Sequence, residues 1–425
     1  MSWREYPLLE ERIWQKTLEN GLTLAVVPRA GFRKKLAYFV TDLGSIHTEF
    51  WDDHNLYEVP AGIAHYLEHK MFDMPRGEIS GEFAALGANP NAFTGYDMTA
   101  YHFSCTEHFE ESLRLLLEFV STPWFTEETV AREQGIIGQE IDMVADGPEN
   151  RLYENLVAAM YAAHPVRTPI LGSRESIAQI TPELLELCHR SFYCPSNMML
   201  CIVGDVDPET VEAMAMEVLG SEKRLPAQKH SHWEEEMVCP QHEIREQMEV
   251  SMPMFQIGFK SEDPGKGENA TRMEIVGDLA AEALFGESSQ LYLELYEKGI
   301  IDSSFSGGFE TLEGMSMLIA AGDSDFPEVI RDAILERAKT LTLEETDFLR
   351  MKRSSLGRRI RELDSFDSTC FRVCAYHFSE FDYFDFPRVF HSVTAEEVLD
   401  FIRRTVTPQR CCLSVIEPLQ QEVTK

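Results

Sequence analysis

Long apolar runs are missing from this sequence of 425 residues. No stretch reaches the roughly 18 apolar residues that a membrane-spanning helix needs, which excludes an integral membrane protein. The first residues, MSWREYPLLEERIWQ, are mixed in charge and lack the apolar core and cleavage site of a secretory signal. We therefore expect a cytoplasmic chain with no membrane partner.

Positive charge is also scarce. The chain carries 38 Lys and Arg against 72 Asp and Glu, which gives a formal net charge of −34. A nucleic-acid-binding protein needs cations to replace condensed counterions, so we expect no nucleic-acid partner. Solubility accounts for the negative charge, and an acidic chamber that favours basic peptides is the alternative.

The number of cysteines is odd. The nine cysteines lie mostly inside apolar segments, which is typical of buried free thiols in a reducing compartment. Cys370 and Cys374, with His377 nearby, have a spacing that could suggest a metal clip. A Cys-x-x-x-Cys pair on an amphipathic helix is more often part of the core, and we favour that interpretation.

Two segments half a chain apart share one pattern. Residues 181–205 and 394–418 each start with a threonine and acidic residues, as helix N-termini do. Each continues as an amphipathic helix that ends before a proline, Pro195 or Pro408, and then enters an apolar strand. The repeat and the length of the chain favour two related α+β domains in tandem.

The junction between these domains is visible in the composition. Residues 221–246 are polar and charged and contain few aliphatic side chains, as linkers between domains do. Earlier in the chain, strand and helix signals alternate, with strands expected at 22–28 and 36–43. We therefore expect an α+β fold of two domains, residues 1–228 and residues 229–425.

The motif that carries chemistry is AGIAHYLEHKMF, which starts at Ala61. On a helix, His65 and His69 lie one turn apart on one face, a geometry suited to two ligands of one divalent cation. Glu68 lies on the same side, where it could reach a metal-bound water without binding the metal. This order is the inverse of the commoner zinc-protease helix. The alternative is that both histidines are ordinary surface or core residues.

A catalytic zinc site has three protein ligands and an open position for water. A helix expected at 127–144 offers Glu133 and Glu140, which are seven residues apart and so lie on one side. The other side of this helix is expected to be apolar and to include Ile136, Ile137, Ile141 and Val144. One glutamate could bind the metal while the other orients a histidine, or both could be solvated carboxylates. Spacing along the helix does not distinguish these alternatives.

These segments resemble the pitrilysin, insulinase and mitochondrial-processing-peptidase family of inverted-motif zinc peptidases. The similarity covers HYLEH with its Glu-x6-Glu helix, NAFT at 91–94, GIIGQEI at 135–141, HPVRTPILGSRESIAQIT from His164 and FYCPSNMMLCIVGDVDP from Phe192. It is closest to the bacterial YmfH-like subgroup and is looser in the second half of the chain. The resemblance implies two related α/β domains, each a mainly antiparallel sheet with helices packed on it, that enclose a peptide chamber.

The resemblance also implies roles for individual residues. One Zn2+ per chain would be bound by His65, His69 and Glu140. Glu68 would act as general base, and Glu133 as a second catalytic residue outside the ligand set. The edge strand that binds an extended peptide substrate would contain Asn91, Ala92, Phe93 and Thr94. An ordinary edge strand is the alternative for these four residues. We expect a metalloendopeptidase that acts on peptides or on small unfolded or precursor proteins.

The second half of the chain departs from the family pattern. Many members carry a leucine–arginine pair followed by a tyrosine, which help to hold the substrate. Here Tyr296 stands at the arginine position and Ser303 stands near the tyrosine position. Some members divide the work between an active chain and an inactive paralogue, so we expect a paralogous subunit or a homodimer partner beside the peptide substrate.

A competing hypothesis is a non-catalytic peptide-binding or structural subunit of such a heterodimer. A structural zinc domain is excluded, because structural zinc sites are closed and usually rich in cysteine.

Overall fold

The computed structural model describes residues 3–52 and 55–419. Within these residues the strands are Trp3–Tyr6 (β1), Glu11–Thr17 (β2), Thr23–Pro28 (β3), Lys35–Thr41 (β4), Glu49–Asp52 (β5), Asn55–Glu58 (β6), Asp73–Met74 (β7), Gly77–Glu78 (β8), Asn89–Thr94 (β9), Thr99–Cys105 (β10), Met198–Gly204 (β11), Gln228–Lys229 (β12), Glu243–Met248 (β13), Met254–Ser261 (β14), Ser306–Leu312 (β15), Met315–Asp323 (β16) and Cys411–Pro418 (β17). The α-helices are Ile63–Met71 (α1), Ser80–Ala85 (α2), Phe109–Ser121 (α3), Glu127–Ala145 (α4), Pro148–Met160 (α5), Arg174–Ile177 (α6), Pro182–Phe192 (α7), Pro208–Leu219 (α8), Gly267–Phe285 (α9), Gln290–Glu297 (α10), Pro327–Thr340 (α11), Glu345–Arg361 (α12), Phe366–Phe378 (α13), Phe386–Ser392 (α14) and Ala395–Thr405 (α15). In this part of the chain no helix is both long and apolar enough to cross a lipid bilayer.

Seven strands form the first sheet, in the order β1-β2-β3-β11-β4-β10-β9. Neighbouring strands are antiparallel except for β3 and β11, which are parallel. The central strands β3, β11 and β4 are buried at nearly every position, so both faces of the sheet are covered there and the strands are mostly apolar. The strands expected at 22–28 and 36–43 are confirmed as β3 and β4, with ends that differ by one or two residues.

Helix α1 packs against this sheet through Ile63, Tyr66 and Leu67, which are buried in the same core as the central strands. The helix begins after Gly62, which has a φ of +91°. A Cβ at this glycine would lie 2.4 Å from the carbonyl oxygen of Leu171. Only glycine combines that backbone conformation with so close an approach, so the start of α1 is fixed by the backbone around it.

Five strands form the second sheet, in the order β13-β17-β14-β16-β15. Its one parallel pair is β13 and β17, and the other neighbours are antiparallel. This is the arrangement of β3-β11-β4-β10-β9 in the first sheet. The repeat segments form corresponding elements, because α7 leads through a 3-10 turn into β11 and α15 leads through a 3-10 turn into β17. The predicted α+β fold with two related, mainly antiparallel sheets is confirmed.

The chain divides into two compact units, and neither is continuous in sequence. The first unit contains Met1–Ile141, Pro169–Ser231 and Ile360–Asp385, and the second contains Asp142–Thr168, His232–Arg359 and Phe386–Lys425. Each sheet is thus covered in part by a helix from the other half of the sequence: α13 packs on β11 and β4, and α5 packs on β17 and β14. We call α5 and α13 the exchanged helices. The boundary between residues 228 and 229 stays a prediction.

The exchanged helices are packed tightly in both units. In the second unit, a Cβ at Gly258 of β14 would lie 2.4 Å from the sulfur of Met160 in α5. In the first unit, the Cys370 thiol of α13 lies 3.6 Å from the carbonyl oxygen of Cys201 in β11. Cys374 is fully buried beside them on α13. Cys370 and Cys374 are therefore core residues, as we favoured from the sequence.

Candidate active site

Helix α1 presents His65 and His69 from adjacent turns, with the ring centroids 4.7 Å apart. The side chain of His65 is 8% exposed and that of His69 is 25% exposed. Glu68 lies between them in sequence and is partly buried. The helix predicted for this motif is confirmed, and it places both imidazoles on one side.

Helix α4 places Glu140 opposite both imidazoles. Its Oε2 lies 3.8 Å from Nε2 of His65 and 3.4 Å from Nε2 of His69. Among the residues that the structure describes, these three side chains form the one group of three or more His, Cys, Asp or Glu residues whose ligand atoms all lie within 4.8 Å of one another. Two imidazole nitrogens and a carboxylate oxygen are the donor set of a catalytic zinc site. The arrangement fits a divalent zinc ion, which would also balance the charge of the carboxylate.

Glu133 has a different place on the same helix. Its Oε1 lies 3.0 Å from Nδ1 of His69, the ring nitrogen on the other side from the one that approaches Glu140. A carboxylate at Nδ1 fixes the orientation of the ring and leaves Nε2 for a metal. Spacing along the helix left Glu133 and Glu140 equivalent, and their contacts now distinguish them.

The expected polarity of α4 is wrong in one respect. Glu133 and Glu140 were expected opposite an apolar side that includes Ile136 and Ile137. Glu133 is instead buried on the same side as Ile137, and Ile136 is 48% exposed. Residues four apart share one side of a helix, so a helix that buries Ile137 also buries Glu133. The burial of this carboxylate is tolerated because His69 is its partner.

Two further contacts hold α1 against α4. The hydroxyl of Tyr66 donates to the backbone oxygen of Val130. Asp73, just after α1, accepts from the buried ammonium of Lys70 and from Arg132 of α4, whose Nη2 lies 3.0 Å from Oδ2. Lys70 and Asp73 were not predicted to belong to the site, although their spacing of three residues is a signal for such a pair.

The Asp73→Asn variant is expected to be destabilised by about 3–5 kcal/mol, because the substitution leaves the charge of Lys70 buried without its partner. The side chain of Lys70 is 0% exposed and that of Asp73 is 15% exposed, so water cannot replace the lost carboxylate. Chemical unfolding followed by tryptophan fluorescence and circular dichroism measures the change.

The matched control is Asp400→Asn, which breaks an ion pair with Arg403 whose side chains are 60% and 51% exposed. Exposed pairs contribute little to stability, so we expect no measurable change. Equal unfolding midpoints for the two variants would show that Asp73 does not stabilise the contact between α1 and α4.

The protonation of the two imidazoles is set differently. Burial, with a smaller contribution from His69, lowers the pKa of His65 to about 3. This ring is therefore neutral near pH 7 and can offer a lone pair to a cation. Burial acts in the same direction on His69, but the hydrogen bond to Glu133 and the charges of nearby carboxylates raise its pKa overall.

Glu68 accepts a hydrogen bond at Oε2 from the hydroxyl of Thr94, with an oxygen–oxygen distance of 2.7 Å. Burial raises the pKa of Glu68 above its usual range, while the Thr94 bond and the charge of His69 oppose the rise. A carboxylate with a raised pKa is suited to accept a proton and return it near neutral pH.

Strand β9 is the terminal strand of the first sheet and contacts α1. It contains all four residues predicted to bind substrate, Asn91, Ala92, Phe93 and Thr94. Ala92 packs against the core. Phe93 faces the other side, with its ring centroid 6.2 Å from that of Tyr38 and 5.9 Å from that of Phe371. Phe371 belongs to the exchanged helix α13, and no pattern in the sequence linked it to this strand.

The two positions that depart from the family pattern lie in the second unit. Tyr296 is in α10, is 53% exposed, and stacks on Tyr292 with ring centroids 5.7 Å apart. Ser303 is exposed in the turn before β15. The position where the resemblance implies an arginine is therefore occupied by a neutral, solvent-facing ring.

Comparisons with known proteins cover both halves of the chain. A family model described as insulinase (peptidase family M16) matches residues 55–174, and one described as the peptidase M16 inactive domain matches residues 179–354. The uncharacterized zinc protease YmfH of Bacillus subtilis is 38% identical over 423 residues, which is 97% of this chain and 98% of that protein. An uncharacterized zinc protease of Mycobacterium leprae is 31% identical over 166 residues, which is 38% of this chain and 37% of that protein.

Solved structures share the fold over nearly the whole chain. The crystal structure of an M16-like protein from Alicyclobacillus acidocaldarius has a TM-score of 0.91 at 31% identity and covers 96% of this chain and 98% of that one. A protease from Helicobacter pylori has a TM-score of 0.81 at 20% identity and covers 96% of this chain and 100% of that one.

Proposed function

Because the chain belongs to the M16 (insulinase) family of peptidases, we propose that it is a zinc-dependent metalloendopeptidase. Relatives that are named zinc proteases support this class. The observation that carries the proposal is the convergence of His65, His69 and Glu140, with Glu68 on the same helix. The proposed substrates are peptides and small unfolded or precursor proteins.

The ligand set in this proposal is His65 and His69 through Nε2, and Glu140 through its carboxylate. A zinc ion held by these residues would lower the pKa of a bound water from about 15.7 to near 7 and would polarise the carbonyl of the substrate. Glu133 orients His69 through Nδ1, so that the neighbouring Nε2 faces the cation site. Partners of this kind are commonly needed for full metal affinity.

Glu68 is the general base in this proposal. Its Oε2 accepts the hydrogen bond from Thr94, so we assign the proton transfer to Oε1. This oxygen accepts a proton from the attacking water, and the resulting carboxyl group returns the proton to the leaving amine. One carboxyl group thereby serves both halves of the hydrolysis.

The substrate would bind as an added strand on β9, at Asn91–Thr94. Main-chain hydrogen bonds supply the affinity in such binding, and they tolerate many side chains. This geometry supports loose sequence specificity. Because β9 also contacts α1, a peptide on this strand would lie close to the helix that carries the ligands.

The second candidate function is a non-catalytic peptide-binding or structural subunit, and the observation that favours it is Tyr296 at the position of a family arginine. A paralogous subunit or a second copy of this chain could supply the positive charge that Tyr296 lacks. The nine thiols fit a reducing compartment, and we propose the cytoplasm.

Zinc analysis combined with a cleavage assay tests the proposal. We expect about one zinc per chain and cleavage of an unstructured protein such as casein, which a chelator abolishes and added zinc restores. Specific activity measured over a hundred-fold range of protein concentration tests for a second copy. Bound zinc without cleavage, alone or with added partner candidates, would favour the binding subunit, and a chain that takes up no zinc would contradict the ligand set.

A further inference from the structure

Thr94 is the last residue of β9, and its side chain is directed at the proposed base. Its Oγ1 lies 2.7 Å from Oε2 of Glu68. A threonine hydroxyl has one proton to donate, and an ionised carboxylate can only accept. The proton of Thr94 is therefore given to Glu68, and it is not available to a carbonyl oxygen of a bound peptide.

The backbone around Thr94 is held from two directions. Thr94 is paired with Thr99 of β10 in the antiparallel ladder. The turn that follows is closed by a hydrogen bond from the amide of Gly95 to the carbonyl of Met98, at 2.8 Å. The carbonyl of Gly95 also accepts from the amide of Ser45, at 3.1 Å. The position of the hydroxyl is thus set by main-chain contacts on both sides of it.

A glutamate carboxylate rotates broadly about its last torsion when nothing holds it. A hydrogen bond to one oxygen selects one plane for the group, and such support decides whether a catalytic side chain is held in its productive geometry. Charge-assisted bonds of this kind are stronger than neutral ones. The contact is therefore strong enough to choose the orientation of Glu68.

We propose that Thr94 is a positioning residue for hydrolysis, which holds Oε2 of Glu68 so that Oε1 is directed at the attacking water. This inference rests on the proposed peptidase function, and it assigns to Thr94 a role different from the direct substrate contact expected from the sequence. Thr94 would thereby link the strand that binds the peptide to the group that activates water, because its backbone belongs to β9 and its side chain contacts Glu68.

Steady-state kinetics of Thr94→Val and Thr94→Ser tests the inference. Valine keeps the shape of threonine and removes the hydroxyl, so we expect kcat to fall by about 10- to 100-fold while KM stays within about twofold. Serine keeps the hydroxyl, and we expect it to restore kcat to within about threefold of the wild type. Zinc affinity, measured by competition with a chromogenic chelator, and melting temperature should be unchanged in both variants.

The control is Thr311→Val in β15, the strand of the second sheet that corresponds to β9, which should leave kcat unchanged. A rise in KM at constant kcat for Thr94→Val would overturn the inference and identify a substrate contact. Equal losses in Thr94→Val and Thr94→Ser, or no loss in either, would also overturn it. A wild type without zinc-dependent cleavage would overturn the proposed function and the inference together. The outcomes above would overturn only the inference, because they require an active wild type.

Discussion

Glu68→Gln is expected to lower kcat by about 10²–10⁴-fold, the range that a positioned general base contributes to catalysis. The amide has nearly the size of the carboxyl group and can still accept from Thr94, so the local structure should be kept. It cannot take a proton from water, and the proton transfer is lost. Zinc content should stay at about one per chain, because Glu68 is outside the proposed ligand set. Cleavage of a fluorogenic peptide, with zinc measured on the same sample, gives both quantities.

Glu110→Gln is the matched control, because Glu110 is an exposed glutamate of α3 in the same unit. We expect this variant to have wild-type kcat. Unchanged cleavage by Glu68→Gln would remove Glu68 from the mechanism, and a simultaneous loss of zinc would mean that Glu68 belongs with the ligands.

His65→Ala is expected to yield a chain with no stoichiometric zinc and no detectable cleavage. In the proposed ligand set His65 is one of three protein donors. Its imidazole is largely buried and neutral, so no proton competes with a cation for this ring in the wild type. Removal of a direct donor should cost more affinity than the 10- to 100-fold that loss of an outer partner costs. Elemental analysis after dialysis against buffered zinc measures the difference.

Glu133→Gln provides the graded comparison. The amide can still contact Nδ1 of His69 but carries no charge, so we expect zinc affinity to fall by about 10- to 100-fold and not to vanish. His232→Ala, at an exposed histidine outside the site, should bind zinc normally. A His65→Ala chain that retains one zinc, or a Glu133→Gln chain that loses zinc as completely as His65→Ala, would require a different ligand set.

Local structure was largely predictable because it depends on periodicities that the sequence displays. The apolar runs of β3 and β4 give strands, and the spacing of Ile63, Tyr66 and Leu67 gives the buried side of α1. The repeat of helix, proline and strand predicted two related sheets. Each copy has an amphipathic helix and an apolar strand, and each copy therefore needs a sheet in which to bury them. The relative positions of His65 and His69 follow from helix geometry alone.

The choice between Glu133 and Glu140 depends on how α1 crosses α4, and spacing along one helix contains no information about that crossing. The crossing is set by the contacts of Tyr66 with Val130 and of Lys70 and Arg132 with Asp73. The exchanged helices were unpredictable for a related reason. An amphipathic helix shows in its sequence that one side is buried, but it does not show which sheet covers that side.

The exchanged helices impose an order on the synthesis of the protein. The first sheet has all its strands once Gly204 has been added, but the helix that covers β11 and β4 ends at Phe378. At about 5–20 residues per second, a ribosome needs roughly 9–35 s to make the intervening chain. During that interval the central strands of a finished sheet remain without their cover. Transiently exposed apolar surface promotes aggregation, so the nascent chain is most vulnerable between the completion of β11 and the completion of α13.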